Sequence, residues 1–301
     1  MSNSKTLNIS IYFITYLVII IGFFSNLSDS NLFLNKICIL LILTMGLIHG
    51  SNDLYLQSKS HIISKLKLSK RVFAYLIISL ILVLVFIYKP ALALLSFIIF
   101  SAFHFGEQQL YFLKLKNNFL SYALYTSLGC LIFIALFLND FNEVKKIFNF
   151  FQLELFDQEI FKAMAALLIL LTSSYLFSLN AIKAIEFKKM LEIYFQMATL
   201  FLLFYSTSLL AAFTFYFVFW HSLPSIYSQI NSLRRNDSNY NIFSYIRNSS
   251  VVYSISIISI ILIFILSANF ELLMKILIII SASITIPHIL TISQFYKGNS
   301  S

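Results

Sequence analysis

Along this chain apolar residues come in long unbroken blocks separated by short polar stretches, with no strict alternation inside the blocks. The blocks fall at roughly 7–24, 32–50, 72–88, 91–110, 119–138, 161–179, 190–206, 208–227, 250–268 and 272–295. A run of about 18 or more apolar residues is long enough to cross a bilayer as an α-helix. A membrane β-barrel would instead read as alternating segments of about ten residues. The pattern therefore predicts an all-α fold, a polytopic transmembrane helical bundle of about 8–10 helices. It is expected to form a single integral membrane domain over residues 1–301, with short disordered tails at 2–6 and 297–301. Lys89-Pro90 marks a tight turn, because proline is well accommodated at the start of a helix. Ser206-Thr207-Ser208 is the weakest punctuation between two blocks.

Composition sharpens this picture. The chain is 59% hydrophobic and 11% charged, where soluble domains carry about 25% charged residues. The net charge of +9 could suit nucleic acid, but Lys and Arg are scattered through short loops, so no nucleic-acid partner is expected. With the N-terminus cytoplasmic, inner loops hold Lys59, Lys65, Lys67, Lys70, Arg71, Lys114, Lys116, Lys183, Lys188, Lys189, Arg234, Arg235 and Arg247. Outer loops then hold only Lys89, Lys145, Lys146, Lys162 and Lys275. This asymmetry predicts a multi-pass protein of the cytoplasmic (inner) membrane, in contact with membrane lipid. The first block follows Lys5 without a clear small-residue cleavage site and is read as an uncleaved helix. Cys38 and Cys130 sit inside apolar blocks as small core residues and offer no disulfide framework.

Histidine is the residue that does not fit an inert bundle. His61 lies in the basic loop, where a solvated role suffices. His49, His104, His221 and His288 lie in the second, fourth, eighth and tenth blocks, which all run from outside to inside. At a rise of 1.5 Å per residue they sit about 25, 20, 20 and 24 Å from their block starts, one layer within the error of the boundaries. A single such histidine reads as a hydrogen-bonded interface residue. Four at one depth read as a shared metal centre built from inward-facing side chains. Gly46, Gly50, Gly106, Pro224 and Pro287 all lie within three residues of these histidines, though the chain has only six Gly and three Pro. Such residues let a backbone approach closely or free a carbonyl.

Four neutral imidazoles without cysteine suit iron, copper or zinc. A closed tetrahedral zinc site would be structural. Octahedral Fe(II) with four imidazoles keeps two positions open, which fits non-haem oxygenase chemistry. One alternative is a haem-binding membrane redox protein of the cytochrome b type, though two stacked haems need histidine pairs at two depths. Another is a transporter with a histidine proton relay, which would place acids nearer mid-bilayer.

The stretches MGLIHGSNDLYL (45–56), FHFGEQQ (103–109), FWHSLPSI (219–226) and IPHILTI (286–292) occur in order across nearly the whole chain. Together they resemble the Brp/Blh family of membrane β-carotene 15,15'-dioxygenases. The resemblance implies cleavage of the central double bond of β-carotene with O2 to give two molecules of all-trans-retinal, which could supply a rhodopsin. It also implies Fe(2+) as cofactor, with His49, His104, His221 and His288 as ligands. The chain departs from the family pattern in carrying Ile48 before His49 and Leu54-Tyr55 after Asp53.

The residues around the histidines suit an apolar polyene. Phe103, Phe105, Tyr216, Phe219 and Trp220 are candidates to line a substrate tunnel, with bundle packing as the plainer account. Asp53 is four residues after His49 and Glu107 three after His104, so helical spacing puts each on its histidine's face. Either carboxylate could orient an imidazole from outside the metal. Gln108, Gln109, Asn52 and Ser222 are weaker candidates for the same task.

Overall fold

The structure is a computed structural model and describes residues 2–25, 32–59, 67–113, 115, 119–266 and 270–299. Its elements are α1 (Ser2–Ser25), α2 (Leu32–Ser51), α3 (Asp53–Lys59), α4 (Leu68–Tyr88), α5 (Pro90–Gln109), a 3-10 turn (Tyr111–Leu113), α6 (Phe119–Asn139), α7 (Phe141–Phe150) and α8 (Gln158–Ala181). They continue with α9 (Phe187–Ser206), α10 (Leu209–Phe215), a π-helix (Tyr216–Ser222), α11 (Leu223–Arg234), α12 (Ile242–Leu266) and α13 (Phe270–Asn299). No strand occurs among the described residues. Eight helical stretches among them are long and apolar enough to cross a membrane. Over the described residues each expected apolar block falls on helix, residues 267 and 268 of the 250–268 block lie outside them, and both expected turns are present. Pro90 opens α5 one residue after α4 ends, and the Ser208 hydroxyl accepts from Ala211 N at the start of α10. Helix extends to Ser2 and Asn299, into the stretches expected as tails, and His61 lies outside the described residues.

Two elements break the expected pattern. The polar 139–160 loop contains α7, whose Val144 and Phe148 are buried while Glu143 and Lys146 pair on its exposed side. The block 208–227 is not one regular helix but α10, a π-helical stretch and α11 in succession.

Contacts divide the chain into two compact units. The first comprises Met1–Leu40, Ile98–Asn149 and Glu154–His221. In it α6 packs against α8, α9 and α10, and α1 packs along α9. Its core is a continuous apolar cluster that includes Leu128, Ile132, Leu176, Leu200, Leu203 and Ala212. Helices are drawn together in this unit by missing side chains. A carbon added at Gly106 of α5 would fall onto the Tyr125 carbonyl of α6, and one added at Gly129 of α6 would fall onto the Ala102 carbonyl of α5. With no hydrophobic drive between helices in lipid, such small-residue crossings are what lets backbones pack.

The second unit comprises Leu41–Phe97, Phe150–Leu153 and Ser222–Ser301. Here α13 packs against α3 and α4, and α3 against α4. The small core holds Leu56, Ile226, Ile230, Tyr245, Ile292 and Phe295. Along α4 the side chains of Phe73, Leu76, Leu80, Ile81, Leu84 and Ile87 are exposed, an outer face suited to lipid rather than water.

The glycine crossing gives a direct expectation. Gly129→Ala should melt well below wild type in detergent, or fail to yield folded protein, because two backbones must separate. Gly50→Ala, with nothing within 4 Å of the new carbon, should melt at or above the wild-type temperature. Equal melting of all three proteins would disprove the close crossing.

Candidate metal centre

The four histidines are buried, at 3%, 3%, 3% and 6% exposure for His49, His104, His221 and His288. Each unit brings two of them together.

In the first unit the pair is His104 on α5 and His221 in the π-helix, with ring centroids 5.1 Å apart and planes at 78°. His104 stands two residues before Gly106, so the helix crossing fixes its part of α5. His221 comes from a turn wound one residue wider than an α-helix, a form that often marks functional positions. Pro224 follows in the first turn of α11, which continues directly from the π-helix. Gln108 Nε2 donates to the His221 carbonyl at 2.5 Å, tying α5 to the π-helix.

The aromatic candidates part company here. Phe105 reaches the pair, and Tyr216 lies behind it. The Phe105 ring is 4.6 Å from that of His221 and 5.2 Å from that of Tyr216. Phe103 packs edge-on against Tyr122 and Tyr125, and Phe219 stacks on Phe215. The indole N–H of Trp220 donates to Thr15 Oγ1 at 3.1 Å, with Tyr12 edge-on, so this ring anchors α1. Phe217 was missed: it lies 5.6 Å from His221 with planes 21° apart. Its place four residues before His221 could have suggested that contact. Tyr216 also touches Phe204, which borders an apolar cavity of about 270 Å3 among α6, α8 and α9, lined by Leu131, Ala135, Ala165, Ile169 and Phe201 among others.

In the second unit the pair is His49 near the end of α2 and His288 on α13, just after Pro287, with centroids 4.5 Å apart and planes at 70°. Asp53, 2% exposed, holds His288 Nδ1 at 2.8 Å through Oδ1 and accepts from the Tyr75 hydroxyl at 2.8 Å through Oδ2. Helical spacing from His49 had suggested that Asp53 would share His49's face. The helix instead breaks at Asn52, α3 begins at Asp53, and the carboxylate meets His288. Glu107 is half-buried on α5.

A layer of buried amides and hydroxyls completes this unit. Asn52 Nδ2 donates to the Tyr245 carbonyl at 3.0 Å. The Tyr245 hydroxyl donates to Gln229 Oε1 at 2.7 Å and lies 3.4 Å from the His49 carbonyl. Gln229 Nε2 donates to Ser225 Oγ, and Gln57 Nε2 to Thr291 Oγ1, which donates to the Pro287 carbonyl. Gln109 instead bonds Gln196, in the first unit. Tyr75, Tyr245, Gln229 and Gln57 escape sequence reading because a polar residue in an apolar helix does not reveal its partner on another helix.

Buried imidazoles in pairs, one with a carboxylate on its second nitrogen, are a donor set compatible with a metal ion. Among the described residues Cys38 and Cys130 are free thiols. The polar layer is testable by itself. Tyr245→Phe should lower stability by about 1–3 kcal/mol, since it strands the Oε1 of a fully buried Gln229. Thermal unfolding in detergent at unchanged temperature would show that this hydroxyl contributes nothing.

Residues 40–296 match the family model described as beta-carotene 15,15'-dioxygenase, so the chain belongs to that family. No curated protein and no solved structure matches it.

Proposed function

As the reading that best suits this member of the β-carotene 15,15'-dioxygenase family, we propose that the protein cleaves β-carotene at its central 15,15' double bond. The products are two molecules of all-trans-retinal, formed with O2 and with iron held by His49, His104, His221 and His288. The observation that carries the reading is that one family match runs through all four buried histidines. Imidazole nitrogens without thiolates suit iron, and the Asp53 contact to His288 is of the kind that metal-bound imidazoles make.

Iron bound there would supply the activation of O2. The chain's own residues do the rest. The apolar surroundings dissolve a polyene that water would reject, and they keep water from the reacting carbons. Phe105 and Phe217, beside His221, and Tyr216, beside Phe105, are the rings against which a conjugated chain would lie. Phe103, Phe219 and Trp220 have packing partners of their own and support the bundle around them. Asp53 fixes the His288 ring by accepting at Nδ1, which leaves Nε2 as the ligating atom. Glu107 serves His104 in a like role, being one turn away on α5. The Lys/Arg asymmetry supports a cytoplasmic-membrane location with the N-terminus inside, in contact with lipid. Retinal released there is available to a rhodopsin in the same bilayer.

Expression in a β-carotene-producing bacterium tests the reading. Wild type should bleach the cells and yield retinal. His221→Ala, and equally alanine at His49, His104 or His288, should leave β-carotene intact at equal protein level in the membrane. Intact β-carotene beside well-folded, iron-loaded wild type would overturn the assignment, and a haem absorption band in the purified protein would replace it with a redox role.

A further inference from the structure

Tyr75 belongs to α4, a helix whose neighbouring side chains Phe73, Leu76 and Ile77 are exposed and apolar. Its phenol, about one turn from the polar Lys70-Arg71 end of the helix, finds its partner inside the protein. That partner is Asp53 Oδ2, at 2.8 Å. Asp53 spends its other oxygen on His288 Nδ1, also at 2.8 Å. Three helices, α4, α3 and α13, thereby meet through one carboxylate.

From this we infer that Tyr75 is a positioning residue for the metal centre, acting on His288 through Asp53. The inference rests on the proposed role of His288 as an iron ligand. The physical reason is geometric. A carboxylate held at one oxygen can turn about its Cβ–Cγ bond and carry the imidazole with it. Held at both oxygens it cannot turn, and the proton on His288 Nδ1 stays directed at Oδ1. The phenol can only donate to the ionised carboxylate, so it leaves Asp53 as acceptor toward His288. Removing the hydroxyl leaves Oδ2 without that donor in an apolar setting, and the carboxylate will turn to find another.

The test uses the full chain purified in detergent and loaded with Fe(II). Iron retained against a competing chelator is measured for wild type, Tyr75→Phe, Asp53→Asn, the double variant and His288→Ala. Metal-free melting temperatures and the electron paramagnetic resonance signal of the nitric oxide adduct are recorded beside it. Tyr75→Phe should weaken iron retention by about tenfold, the lower end of what losing an outer partner costs a metal-bound imidazole. Its nitric oxide signal should broaden or shift, and its metal-free melting should fall modestly, because a buried carboxylate oxygen loses its donor. Asp53→Asn should lose more, and the double variant no more than Asp53→Asn alone, because Tyr75 acts only through that carboxylate.

Unchanged retention and signal in Tyr75→Phe, with iron lost from His288→Ala, would overturn the role of Tyr75 while leaving the iron assignment intact. Additive losses in the double variant would also overturn it, and this arm decides the case in which Tyr75→Phe melts early. Wild type that retains no iron would sink the assignment and the inference together.

Discussion

A carboxylate that is 2% exposed among apolar helices has to be met from within, and Asp53 is the residue on which the second unit is organised. Leaving such a group unmet costs several kcal/mol, more than most single contacts contribute. Meeting it requires a donor on each oxygen, and the fold supplies one from α4 and one from α13. That demand explains why α2 stops at Ser51 and a new short helix starts at Asp53: a continuous helix would have kept the carboxylate in line with His49. Asn52, freed at the break, turns its amide to the Tyr245 carbonyl and brings α12 into the same layer. The buried polar groups of this unit thus link α3 to α4 and α13 through Asp53 and Gln57, and Asn52 to α12 and α11 through Tyr245 and Gln229.

The first unit solves a different problem by opposite means. Around His104 and His221 aromatic rings and close backbones pack, and one amide, that of Gln108, donates to the His221 carbonyl. Gly106 and Gly129 let α5 and α6 touch at the main chain, and Gln108 ties α5 to the π-helix.

Much of the fold was legible because membrane helices write their presence in length and hydropathy alone. The blocks at 91–110 and 119–138 match α5 and α6 within a residue at each end, and Lys89-Pro90 was a readable turn. The histidines were readable because imidazole is out of place in such blocks. What could not be read shares one cause: it depends on which helix faces which. Helical spacing set Asp53 near His49's face but could not reveal its bond to His288 on α13. Trp220 drew attention by standing beside His221, yet it faces Thr15 on α1, since consecutive residues point about 100° apart on a helix. Tyr75 was indistinguishable from the other aromatics of a lipid-facing helix. The short amphipathic α7 was hidden in a loop by its charges, because five polar or charged residues among ten fail any hydropathy test for a span.

The π-helical turn at Tyr216–Ser222 acts as a phase shifter in the path of the chain. One extra residue is absorbed there without lengthening the helix, so the side chains before the turn and those after it can be registered independently. On one side the rows of α10 and Tyr216 stay in step with α6 and Phe204. On the other, Ser225, Gln229 and Leu233 of α11 keep step with Tyr245 and the core of the second unit. A residue lost or gained at this point would re-aim the side chains of the turn itself, His221 and Trp220 among them, by about one helical step of 100°. The aim of a single imidazole is in this sense adjustable separately from the packing of the helices that carry it.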